Sequence, residues 1–172
     1  MKRYAFFIDI DGTLLDSSSR VSDENRAALH RVQALGHKVF INTGRGLACV
    51  PDEIRSLPLN GIVAGCGCTL IYEQELVASS CVDNQFIYQY LRGIFDQGGQ
   101  AFLEGENCLF RVNCSPSSAL PGTPLGEYCR KARLDFDIWQ PLENVEAFLQ
   151  YPQARIPKLN LVGAYTQRTL YS

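Results

Sequence analysis

Residues 4–16 read YAFFIDIDGTLLD, and the fold turns on how that stretch is parsed. Tyr4 to Ile8 form a short, almost unbroken apolar run, rich in aromatics, that stops at Asp9. Such a run predicts a strand buried on both faces, as in a parallel sheet. Turn chemistry follows in Asp11-Gly12-Thr13 and again in Asp16-Ser17-Ser18-Ser19. Ser22 then has the chemistry of a helix N-cap, with Asp23 and Glu24 in the first turn, where the helix dipole favours acids. Ala28, Leu29, Val32 and Leu35 supply the apolar stripe, and Gly36 stands at the C′ position. HKVFIN (37–42) predicts a second buried strand, ending in the loop Thr43-Gly44-Arg45-Gly46. A second helix is expected over residues 47–57, despite Pro51, and a third strand over 61–64. Strand, helix, strand, helix, strand within so few residues predicts an α/β chain with a parallel, right-handedly connected sheet.

Past residue 64 the rhythm changes. Residues 69–72 and 76–79 flank Glu73-Gln74-Glu75 and predict a hairpin. Asp83 or Asn84 caps a helix whose one side carries Phe86, Ile87, Tyr90, Leu91, Ile94 and Phe95, ending at Gly98-Gly99. Two short strands (101–103 and 109–112), a Ser/Pro/Gly-rich loop (114–124), helices near 125–133 and 143–150, and a strand at 157–162 complete the chain. The expected organisation is an α/β core over residues 1–80 and an α+β unit over 81–172.

Composition narrows the function classes. With 172 residues, 46% of them apolar and 20% charged, the chain can bury a core and is not a disordered polymer. A net charge of −2 gives no general attraction to nucleic acid or to an anionic membrane. No apolar run approaches the roughly 18–20 residues of a membrane span, and Asp9 interrupts the first one too early for a signal peptide. A cytoplasmic location is therefore expected, with the oligomeric state left open. The seven cysteines contain no C-x-x-C pair, and His30 and His37 complete no zinc spacing. Buried reduced thiols are expected, Cys66-Gly-Cys68 being the one close pair. A Walker-type loop and a dinucleotide fingerprint are absent.

The residues that carry chemistry lie at two strand ends. Residues two apart on a strand point the same way, so Asp9 and Asp11 should emerge together at the C-terminal end, where open α/β sheets bind ligands. Two close carboxylates invite a hard divalent cation such as Mg²⁺. Gly12 lets the chain turn and opens backbone N–H groups toward an anion. Thr43, at the end of the neighbouring strand, can offer both a hydroxyl and an N–H to the same anion. Together these ask for phosphoryl transfer: a carboxylate nucleophile (Asp9), an acid/base (Asp11), and donors for the charged oxygens. A bare D-x-D word is common and Asp-Gly is often only a turn, so the weight falls on the two words standing together at adjacent strand ends.

FFIDIDGTLLDSS and FINTGR resemble the first and second motifs of the haloacid dehalogenase superfamily of aspartate-nucleophile phosphatases, and the layout resembles its Cof-type sugar-phosphatase-like subfamily. The resemblance implies a Rossmann-like core with an inserted α+β cap. It implies Asp9 as nucleophile and Mg²⁺ ligand, and Asp11 as acid/base that gives its main-chain carbonyl to the metal. Ile10, Gly12, Thr43, Gly44 and Arg45 are then the phosphate- or substrate-binding set. VAGCGCTLIY (63–72) resembles the segment that usually carries Asn-Gly, with Cys66 in place of the Asn. The implied substrates are small phosphorylated metabolites, sugar phosphates first.

The superfamily's third motif, a lysine, and its fourth, a Gly-Asp with further acids, are not recognisable. Lys158 reads as part of a cap strand, and Asp135-Phe136-Asp137 lacks the Gly-Asp word. The chain therefore reads as one cut within its cap, with weak catalysis on its own and an unpaired sheet edge. A phosphosugar mutase and a non-catalytic phosphate-binding module are the alternative readings.

Overall fold

Ser22 opens the first helix as its chemistry predicts: its Oγ accepts the N–H of Asn25 at 3.2 Å, and α1 runs Asp23–Ala34. Leu35 closes it, and Gly36 follows at φ +80°, the left-handed conformation that glycine adopts without a steric penalty. In this computed structural model the described residues are 2–16, 18, 20–114, 122–123, 126, 129–130 and 138–162. They form two compact units, Met1–Ser80 and Cys81–Ser172.

The first unit is a five-stranded mixed sheet in the order β1-β2-β3-β4-β5. β1 (Ala5–Ile8), β2 (Lys38–Asn42) and β3 (Gly61–Ala64) run parallel, with Ile8 beside Ile41 and Ile41 beside Ile62. β4 (Thr69–Tyr72) and β5 (Glu75–Ser79) return antiparallel. Their turn places Glu73 and Gln74 at φ 48° and 70°, the paired positive values of a tight hairpin turn. The core gathers Ile10, Leu14, Leu29, Val39, Ile41, Ile54 and Ala64.

Two expectations fail here. β1 is not buried on both faces: among the described residues it has one neighbour, β2, and Tyr4, Phe6 and Phe7 are exposed. An apolar run shows that a strand wants cover and does not show what covers it. The helix expected over 47–57 is instead a 3₁₀ turn, Leu47–Cys49, and a separate one-turn helix, α2 (Asp52–Arg55). Pro51 forces the break: it cannot donate inside a helix, and here it sits extended at the N-cap of α2.

The second unit is a four-stranded sheet in the order β8-β7-β6-β9. Its strands are β6 (Gln100–Glu104), β7 (Leu109–Val112), β8 (Gln140–Leu142) and β9 (Lys158–Val162). β8, parallel to β7, is absent from the sequence reading, because three residues including a proline carry no strand pattern. α3 (Asn84–Asp96) is capped by Asp83, whose Oδ1 accepts the N–H groups of Gln85 and Phe86. It buries Ile87, Leu91 and Ile94 against Ala101, Leu103 and Phe110, with Phe148 of the short α4 (Val145–Phe148) in the same cluster. The loop expected at 114–124 and the helix at 125–133 fall mostly, and Asp135-Phe136-Asp137 wholly, outside the described residues.

Candidate active site

β1 ends at Ile8, and the chain bends at once. Ile10 drops its side chain into the core, fully buried, while its carbonyl accepts from both Leu14 and Leu15 at 3.1 and 3.0 Å. That closed turn leaves Asp9 and Asp11 exposed on either side of an anchored residue. Gly12 stands at φ +75° with open space where a Cβ would be, so its requirement is conformational. Asp9 turns one oxygen back: its Oδ1 accepts the N–H of Ile10 at 2.8 Å. The Ile10 N–H is engaged by that carboxylate.

At the second strand end a main-chain donor is likewise engaged within the fold. Thr43 is almost fully buried, and its N–H donates to the carbonyl of Val63 at 2.9 Å, so it continues the pairing of β2 with β3. The hydroxyl is what Thr43 can offer an anion, and Oγ1 also accepts the N–H of Arg45 at 3.2 Å. A Cβ on Gly44 would stand 3.5 Å from the sulfur of Cys66, and the Cys66 thiol reaches the Gly44 carbonyl at 3.9 Å. Cys66 itself is exposed at φ 58° and ψ 34°, a conformation that Asn adopts more readily than Cys.

Arg45 joins the two strand ends. Its Nε donates to Oδ2 of Asp11 at 2.8 Å and its Nη2 to Oδ1 at 2.8 Å. The structure thus links Asp11, Arg45 and Thr43 by hydrogen bonds and sets Asp9 at the end of the strand beside them. The sequence singles out Asp11 and Arg45 but not their pairing, because only the parallel alignment of β1 and β2 makes neighbours of groups so far apart along the chain. Lys158 belongs to the second unit, on β9, where its Nζ pairs with Oε1 of Glu104 at 3.0 Å. Among the described residues no group of three or more His, Cys, Asp or Glu side chains gathers to hold a metal. The hard oxygen donors at the strand end are those of Asp9 and Asp11.

A family model of haloacid dehalogenase-like hydrolases matches residues 6–120, which include both strand ends. The chain belongs to the haloacid dehalogenase-like hydrolase family. Phosphatase YwpJ of Bacillus subtilis is 32% identical to it over 107 residues, 61% of this chain and 34% of that protein. The chain spans about a third of the curated relatives it matches over the longest segments. Among solved structures, a haloacid dehalogenase-like hydrolase from B. subtilis superposes with a TM-score of 0.70 at 19% identity, covering 98% of this chain and 64% of that one. The subclass IIB sugar phosphatase BT4131 superposes with a TM-score of 0.64 at 17% identity, covering 90% and 56%. The fold is therefore that of haloacid dehalogenase-like hydrolases, with a Rossmann-like α/β unit followed in the chain by an α+β unit.

Proposed function

We propose that this chain forms part of a Mg²⁺-dependent phosphatase of small phosphorylated metabolites, with sugar phosphates the leading class. The observation that carries the reading is Asp9 and Asp11 on the turn after β1, with Asp11 tied through Arg45 to the buried Thr43 at the end of β2. An Asp9 oxygen attacks phosphorus, the bond from phosphorus to the ester oxygen breaks, and an aspartyl phosphate forms. Asp11 gives a proton to the departing oxygen and later takes one from the water that opens the acyl phosphate. The Thr43 hydroxyl donates to an oxygen of the transferring group. A Mg²⁺ ion fits the hard carboxylate chemistry of the strand end, and Asp9 with Asp11 would hold it there as this chain's share of its ligands. When bound, the ion supplies positive charge that offsets the repulsion between carboxylate and phosphate. The second unit supplies substrate selection, and the cytoplasm is the proposed location.

The test is phosphate release by the protein at its native length from sugar phosphates, nucleotides and cofactor phosphates, with and without Mg²⁺. Asp9→Asn is expected to lower kcat by about 10³-fold or more. Equal turnover by the variant would remove Asp9 from the nucleophile role.

A further inference from the structure

A polar pocket opens at the other end of the first unit's sheet. Lys38 begins β2 and Thr43 follows its last residue, so the two lie roughly 17 Å apart along the strand. Arg3, Gln33, Gly36, His37, Lys38 and Asn60 line an open pocket of about 390 Å³ at the Lys38 end. Gly36 leaves room for the arginine: a Cβ on it would stand 3.8 Å from Arg3 Nε. His37 is held by β1 and the residue before it. Its Nδ1 accepts the N–H of Tyr4 at 3.3 Å, and the rings of Tyr4 and Phe6 are centred 5.5 and 5.8 Å away. A neutral imidazole that accepts at Nδ1 carries its proton on Nε2 and donates there. Asn60 Oδ1 accepts the Val39 N–H at 2.8 Å and Gln33 Nε2 at 3.2 Å, so the amide nitrogen of Asn60 is the end left to donate.

Charge decides what such a pocket takes. Lys38 is already paired, its Nζ meeting Oε1 of Glu73 at 2.9 Å and lying 5.4 Å from the centre of the Tyr72 ring. Among the described residues no carboxylate pairs with Arg3, so its guanidinium sets the sign of the pocket. The neighbouring end of α1 is the negative end of the helix dipole. Its exposed charge is reduced, because the carbonyls of Arg31, Val32 and Gln33 accept the N–H groups of Leu35, His37 and Gly36. A guanidinium with an imidazole N–H and a carboxamide beside it suits an oxyanion. Donors from three separate segments outnumber the two oxygens of a carboxylate and match the three free oxygens of a phosphate monoester. We propose that this pocket binds a phosphate group, at a site separate from the candidate active site and independent of the phosphatase reading. A phosphate monoester and inorganic phosphate present the same chemistry, and the volume lies within the range of roughly 300–1,000 Å³ in which small ligands bind.

The test follows the imidazole. His37 and His30, the latter exposed on α1, each give ring C–H signals by NMR, assigned in the protein at its native length through His37→Gln and His30→Gln. Inorganic phosphate and glycerol 3-phosphate are titrated in turn at constant pH and ionic strength, in an Asp9→Asn background so that the ester stays intact. The expected result is a saturating shift of the His37 signal, with a dissociation constant on the order of millimolar, while the His30 signal stays in place. Arg3→Gln should weaken binding by at least about fivefold, because the guanidinium supplies the charge-assisted bonds. Tighter binding of the ester would name an organic phosphate as the ligand; equal or tighter binding of the ion would name inorganic phosphate. A His37 signal that does not move, that moves equally with added chloride, or that saturates unchanged in Arg3→Gln would overturn the site.

Discussion

Asp11 stays within reach of solvent and is held by a partner that is itself pinned. Cys114, another titratable side chain, has the opposite surroundings: it is buried, and burial pushes its thiol up to about 11. At pH 8 such a thiol is ionised to about one part in a thousand, so it cannot act as a nucleophile. Brief iodoacetamide treatment at pH 8 followed by peptide mass mapping should label the exposed Cys66 and spare Cys114; early labelling of Cys114 would contradict the burial. The same shift has a stability consequence. A thiol that ionises near its ordinary value in the unfolded chain, and only near 11 in the native one, leaves the unfolded state binding fewer protons between those values. Stability from Cys114 is therefore present below about pH 9 and declines as pH rises toward 11. Cys114→Ala should flatten that part of the dependence of the thermal midpoint on pH.

The strands of the first unit are held at spacings that leave some positions no side chain at all. A Cβ on Gly61 would lie 2.2 Å from the carbonyl oxygen of Ile71 and 3.0 Å from the Phe40 ring. Gly61 lies where β3 pairs with β2 on one side and β4 on the other, so neither neighbour can move without loosening a ladder. Gly61→Ala is expected to destabilise the unit by about 1–3 kcal/mol, read as a lower urea midpoint with an unchanged slope. An unchanged midpoint would mean that the ladder yields more easily than its pairing implies. From the sequence Gly61 reads only as the first residue of the third strand. Its packing demand depends on Phe40 and Ile71, which no local pattern connects to it.

At the scale of the whole first unit, β1 is one of two exposed edge strands, β5 being the other. Among the described residues β1 pairs only with β2, Phe7 stacks on Phe40 with ring centroids 4.9 Å apart, and Tyr4, Phe6 and Phe7 present aromatic surface to solvent. An open, apolar edge strand is a template for a further strand. Residues 1–172 on their own should therefore self-associate with rising concentration. Phe7→Lys, which puts a charge on that edge, should reduce the association, as sedimentation velocity would show. A wild-type chain that stays monomeric at high concentration would argue that the edge is already protected.

Much of this is legible in order along the chain. The N-cap at Ser22, the cap at Asp83, the break at Gly36 and the runs that form β1, β2 and β3 follow from local rules of charge, capping and periodicity, which act within a few residues. The words around Asp9, Asp11 and Thr43 point to the family without any geometry, because the chemistry needs those residue types at strand ends. Three features require the tertiary structure. The parallel alignment of β1 with β2 brings Arg45 onto Asp11; pairing of β2 with β3 takes the Thr43 N–H that an anion was expected to use; and the strand order leaves β1 at an edge. Each is a contact between residues distant in sequence. Local pattern states what a segment can form, and only the folded chain decides which donors, acceptors and faces remain for function.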